Sequence, residues 1–73
     1  MKEKEKAILK KIGANVLKIR LEKNLSQDDI AARCDVDRGK ISKIETGSAN
    51  YYITTVIELA KGLGVEPKEL MEF

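Results

Sequence analysis

The reading of the fold turns on Ser26 to Gly47, SQDDIAARCDVDRGKISKIETG. Ser26 has the form of a helix N-cap, and Asp29 three residues on makes a short-armed capping box. Leu25 before the cap and Ile30 after it can close a hydrophobic staple. Asp28 and Asp29 fall in the first turn, where the helix dipole favours negative charge. Ile30, Ala31 and Cys34 are expected to face inward. Asp37 is the next cap, and Val36 with Ile41 repeats the staple. Only Asp35 and Val36 then separate one helix from the cap of the next, and a link that short makes the two helices cross steeply.

The second of these helices has two unlike sides. At about 100° per residue, placing Ile41 on the core puts Ile44 inward as well. Gly39, Ser42, Lys43 and Thr46 then point outward, with Lys40 on a flank and Arg38 at the N-terminal end. That side is cationic and rich in hydrogen-bonding groups, with no large apolar residue. Arg and Lys can donate to the O6 and N7 acceptors of guanine in a DNA major groove, which admits a helix of this size. Solvated helix surface is the plain alternative. Gly39 has two readings of equal weight: close approach of the backbone to a base or sugar, or tolerance of glycine near a helix start.

Working outward, the apolar stripe Ile8, Leu9, Ile12, Val16, Ile19, widened by Leu17 and Leu21, predicts a first helix. The segment before it, MKEKEKAILKK, is charged and expected to fray. Asn24 suits a left-handed stop. Gly47 ends the helix that begins after Asp37. After Ser48-Ala49-Asn50-Tyr51-Tyr52 comes another helix with Ile53, Val56, Ile57, Ala60 and Leu63 on one stripe, stopped by Gly64. Pro67 opens a last short helix to about Glu72. No strand alternation, repeat or linker is visible. The expectation is an all-α, compact five-helix domain over 12–73, preceded by a charged N-terminal extension, 1–11, that continues into the first helix.

Seventy-three residues make one small domain, near the size at which a single core is marginal. The net charge is +2, but it is uneven. Residues 1–25 carry eight Lys or Arg against three Glu, whereas residues 48–73 carry two Lys against four Glu. With no His and one Cys, Cys34, a Cys/His zinc site, a Ser-His-Asp triad and an intrachain disulfide are excluded. No phosphate-binding glycine loop or paired-carboxylate pattern points to an enzyme, and no cofactor or metal site is expected. A lone thiol fits a reducing cytoplasm, and Cys34, on an inward side, reads as an inert core thiol. No apolar run is long enough to span a membrane.

The pattern I-R-L-E-K-N-L-S-Q, then I-A, I-S-K-I-E and Gly47, followed by L-A-K-G-L-G-V, resembles the Cro/C1-type (XRE) helix-turn-helix family. The resemblance runs from about Ile12 to Phe73 and implies a lambda-repressor-like fold that binds double-stranded DNA. It implies phosphate contact and a buttressing role for Gln27. Arg38, Gly39, Lys40 and Lys43 fall where relatives touch bases or sugars, with Ser42 on the same helix. Thr46, Ser48 and Asn50 flank a loop that grips the backbone. Arg20 and Glu45 match a structural ion pair. Two positions depart from the family pattern. Asp35 stands where the turn usually has glycine, and is expected to take the left-handed conformation. Tyr51-Tyr52 stands where proline or serine is usual, and suits phosphate donation and a dimer contact equally.

Residues 26–47 hold four Arg or Lys against five Asp or Glu, so the electrostatic term should be modest and dimerisation needed. Any contact from Lys10 or Lys11 would be to phosphates. Leu70, Met71 and Phe73, with the exposed part of the preceding helix, are the expected dimer interface, with core closure an equal alternative. The expected function is a homodimeric, cytoplasmic transcriptional repressor that uses helix 38–46. The alternatives are a restriction-modification controller of the same fold, an antitoxin with a protein partner, or a protein-interaction module.

Overall fold

A computed structural model describes residues 2–73. Met1, the first residue of the expected extension, lies outside them. The described residues form five helices and no strand: α1 Glu3–Glu22, α2 Gln27–Ala31, α3 Arg38–Glu45, α4 Ile53–Leu63 and α5 Pro67–Leu70. The caps account for the starts. Ser26 Oγ accepts from the Asp29 amide at 2.9 Å, and the Asp29 carboxylate accepts from the Ser26 amide at 2.8 Å. The bond from the Ser26 amide, with the Ser26 hydroxyl beside it, holds the Asp29 carboxyl below its ordinary range. Asp37 Oδ1 accepts from the Lys40 amide at 2.8 Å. Three helices share one ending, a left-handed residue followed by an amide that reaches five residues back. The left-handed residues are Asn24 (φ 57°), Gly47 (φ 77°) and Gly64 (φ 72°). The amides that follow them, of Leu25, Ser48 and Val65, bond to the carbonyls of Arg20, Lys43 and Ala60.

The core lies between α1, α3 and α4, with Ile30 of α2 and Leu70 of α5 sealing it; Ile30, Ile41, Ile44, Leu59 and Leu70 are fully buried. One glycine sets the spacing. A Cβ on Gly13 would overlap the Ile44 carbonyl oxygen, so glycine lets α1 lie directly on the end of α3. Asn15 Nδ2 donates to the carbonyls of Leu70 at 2.9 Å and Glu72 at 3.1 Å, tying the chain's last turn to α1.

Five details differ from expectation. First, α1 starts at Glu3, ahead of its apolar stripe, with the Lys2 amide donating to Glu5 Oε2 at 3.2 Å. Second, α2 stops at Ala31, so the link before Asp37 is five residues, 32–36. The Arg33 amide turns back to the Ile30 carbonyl at 2.9 Å, which tightens the chain out of the α-helix. Third, Asp35 is not left-handed, Asn24 being the only described non-glycine residue with positive φ. Instead the Asp35 amide donates to Glu58 Oε1 at 2.9 Å, an anchor from α4 that makes a left-handed residue unnecessary. Fourth, Val56, Ala60 and Leu63 of the α4 stripe are buried, but Ile53 and Ile57 are 58% and 48% exposed. Leu59 is buried instead, so the core-facing side of α4 is rotated from the expected stripe. Fifth, α5 ends at Leu70 rather than near Glu72.

Candidate nucleic-acid interface

Ile41 and Ile44 turn one side of α3 into the core, and the last turn of α3 is held from below by a polar network. Arg20, from the last turn of α1, meets Glu45 with two bonds, Nε to Oε2 at 2.7 Å and a terminal nitrogen to Oε1 at 3.0 Å. Its other terminal nitrogen donates to the Leu25 carbonyl at 2.9 Å. Gln27 Nε2, at the start of α2, donates to Glu45 Oε1 at 2.9 Å. The Arg20 and Glu45 side chains are only 13% and 4% exposed. Arg20's bond to Glu45 raises its pKa against the opposing effect of burial, so the guanidinium stays charged. A buried pair of this kind adds little net stability, because desolvation opposes the attraction. It does hold α1, α2 and α3 in one register, since both charges lose their partners if a helix shifts.

The other side of α3 is open. Arg38, Gly39 and Lys43 are exposed, and Lys40 and Ser42 are half-buried. Arg38 Nε lies 3.5 Å from Asp28 Oδ1, with both side chains more than two-thirds exposed. Such a contact is weak and readily exchanged for another acceptor. Lys43 makes no ion pair among the described residues. Lys40 is less free, since its ammonium donates to the Asn50 carbonyl at 2.8 Å and links α3 to the loop beyond it. A Cβ on Gly39 would meet only the Asp37 carboxylate, at 3.2 Å, so the outward space there is empty.

The loop after α3 is built on itself. Thr46 Oγ1 donates to the Lys43 carbonyl at 3.1 Å and lies 2.9 Å from Ser48 Oγ. Ser48 Oγ also reaches the Lys43 carbonyl at 3.3 Å. The two hydroxyls therefore finish the helix, and each must release an internal bond before it can donate to a ligand. Asn50 is exposed at the far end of the loop.

Other residues fall elsewhere. Tyr51 is half-buried, and its hydroxyl donates to the Leu9 carbonyl at 2.7 Å. Burial pushes its pKa up to about 12, so the hydroxyl stays protonated and committed to α1. The hydroxyl is therefore engaged within its own chain; Tyr52, 80% exposed, has no such bond among the described residues. Leu70 is fully buried among the helices of its own chain, which removes it from the expected dimer surface. Met71 packs half-buried against the core, and Phe73 is 61% exposed with the Lys11 ammonium 5.5 Å above its ring. Burial raises the pKa of the Cys34 thiol, so it is not an activated nucleophile. Among the described residues no group of three His, Cys, Asp or Glu side chains could hold a metal, and no helix is long and apolar enough to cross a membrane. Gly13 and Asn15 escaped the sequence reading as supports of the site. A glycine inside an otherwise regular stripe was the available signal for a close helix crossing.

Residues 16–70 match the family described as Helix-turn-helix. The control protein C.BamHI of Bacillus amyloliquefaciens is 44% identical over 62 residues, which cover 84% of this chain and 76% of that protein. The crystal structure of the restriction-modification controller protein C.AhdI from Aeromonas hydrophila superposes with a TM-score of 0.80 at 34% identity, over 88% of this chain and 97% of that one. A chain of the restriction-modification controller protein C.Esp1396I, from the crystal structure of its tetramer in complex with its natural 35 base-pair operator, superposes with a TM-score of 0.77 at 36% identity, over 89% of this chain and 96% of that one.

Proposed function

This chain belongs to the helix-turn-helix family, and we propose that it is a cytoplasmic, sequence-specific transcriptional regulator of double-stranded DNA that acts as a homodimer, most simply a repressor. The observation that carries this is the contrast across α3. Its inner side is held by Ile41, Ile44 and the Arg20–Glu45–Gln27 network, while Arg38 and Lys43 stand outward with little to hold them. In this reading Arg38 and Lys43 read base edges in the major groove, with Gly39 and Ser42 allowing close approach. Lys40 and Asn50 brace the loop, which meets the phosphate backbone near Thr46 and Ser48. Gln27 serves both the network and a phosphate.

Few cations face the DNA, so one copy should bind weakly. Two copies related by a two-fold axis would meet half-sites about 34 Å apart. Ile53, Ile57 and Phe73, each 48% or more exposed, offer the apolar surface for that pairing, with Met71 at its edge. Nothing in this reading calls for catalysis or a cofactor, and the relatives are named for control.

The relatives favour one specialisation, control of a restriction-modification system. The antitoxin and interaction-module readings lack such support. Selection of binding sites from a random duplex pool at near-physiological salt, run beside an Arg38→Ala/Lys43→Ala variant, tests the proposal. An enriched inverted repeat that the variant loses or alters is expected. No enrichment for the unaltered protein would refute DNA reading. Enrichment of the sequence upstream of the chain's own reading frame, with restriction and methylation genes adjoining, would favour the controller reading.

A further inference from the structure

A second basic element lies beside the loop that follows α3. Lys6 and Lys10 are one turn apart on α1, so they share a face. With Leu9 they form one wall of a cleft of about 310 Å³, and Gly47, Ser48, Ala49 and Asn50 form the other. The approach is close, because a Cβ on Gly47 would come within 2.8 Å of Lys10 Cγ. Two bonds hold the walls in place: Tyr51 Oη to the Leu9 carbonyl at 2.7 Å, and Lys40 Nζ to the Asn50 carbonyl at 2.8 Å. The second bond starts on α3, so it ties the cleft to that helix.

The wall offers donors without acidic competition. Lys6 and Lys10 are exposed and make no ion pair among the described residues. The amides of Ala49 and Asn50 have no acceptor among the described residues. No Asp or Glu lines the cleft. Lys11, by contrast, lies over Phe73, on another side of α1. The match to the family begins at residue 16, so Lys6 and Lys10 lie outside what it covers.

We infer that Lys6, Lys10 and the loop Gly47–Asn50 form a phosphodiester-binding site that extends the contact with the same duplex beyond α3. This rests on the DNA-binding reading above. The site holds the backbone and reads no bases, so its effect should be the same on every sequence. Neutralising a lysine that faces a phosphate lowers the slope of log affinity against log salt by about 0.9.

The test measures that slope for the unaltered protein, Lys6→Gln/Lys10→Gln, Lys6→Gln alone, and Lys18→Gln/Lys61→Gln. Glutamine retains part of the stem that packs on Gly47. The last pair removes the same net charge from positions away from the cleft. The expected result is a slope smaller by about 1.8 per bound protomer for the first pair and about 0.9 per bound protomer for the single variant, twice those values for a dimer, with base preferences unchanged and a smaller effect from the control pair. The single variant guards against misfolding, since the Lys6 side chain has no described hydrogen-bond partner. An unchanged slope, an equal loss in the control pair, or altered base preferences would overturn the site. Failure of the unaltered protein to bind any duplex would instead defeat the DNA-binding reading itself.

Discussion

The two sides of α3 differ in how many partners each residue has. On the inner side Glu45 accepts three hydrogen bonds from two other helices, and Ile44 is fully buried with its carbonyl against Gly13. On the outer side Arg38 has one loose, solvent-exposed carboxylate neighbour. The inner residues set where the helix is, and the outer residues are left to adapt to what it meets. The cost of substitution should therefore fall as fold stability on the inner side and as affinity or base preference on the outer.

The largest effect is expected at Gly13→Ala. The new methyl would overlap the Ile44 carbonyl, so α1 and α3 must separate. A loss of about 3 kcal/mol or more is expected from overpacking against backbone, read as a fall of at least about 12 °C in Tm. Near-native Tm would break the comparison, because the crossing would then be soft. Arg20→Ala comes next. It strips the guanidinium from a carboxylate that is only 4% exposed and leaves Gln27 as its one described partner. Removing one member of a buried pair costs about 3–5 kcal/mol, and the lower end fits here because the site is near the surface. Chemical denaturation would measure it.

On the outer side, Lys43→Ala should leave Tm unchanged and cost about 1–3 kcal/mol in affinity for the preferred site, with relaxed choice at the contacted base. A quantitative binding assay on single-base variants of the site would sharpen the comparison. A destabilised Lys43→Ala protein would contradict it. The smallest effect should come from Tyr51→Phe, which removes one part-buried hydrogen bond to Leu9. About 1 kcal/mol is expected, and the difference in Tm between the two proteins should stay constant through neutral pH, because the Tyr51 hydroxyl remains protonated there.

The sequence was most legible where structure is local. Ser26, Asp29, Asp37, Asn24, Gly47, Gly64 and Pro67 act within a turn of their own position, and each does what its chemistry implies. Side-chain period also separated Ile41 and Ile44 from Arg38 and Lys43. Reach across the fold was harder to read. Asp35 failed to need a left-handed turn because Glu58, 23 residues on, supplies its acceptor. Tyr51 was open to two readings because the carbonyl that accepts its hydrogen bond is 42 residues earlier. Leu59 displaced Ile53 and Ile57 from the core because neighbouring helices, rather than the best apolar stripe, decide how α4 is rotated. The resemblance placed Arg20 opposite Glu45 and Gln27 beneath α3, which periodicity alone could not.

Asn15 joins residues made at very different times. Its side chain grips carbonyls 55 and 57 positions later in the chain. A ribosome adding about 5–20 residues per second takes roughly 3–11 s to cover that span. During that interval α1 exists without this clasp. Docking of α1 through this clasp must therefore wait until Leu70 and Glu72 have been made.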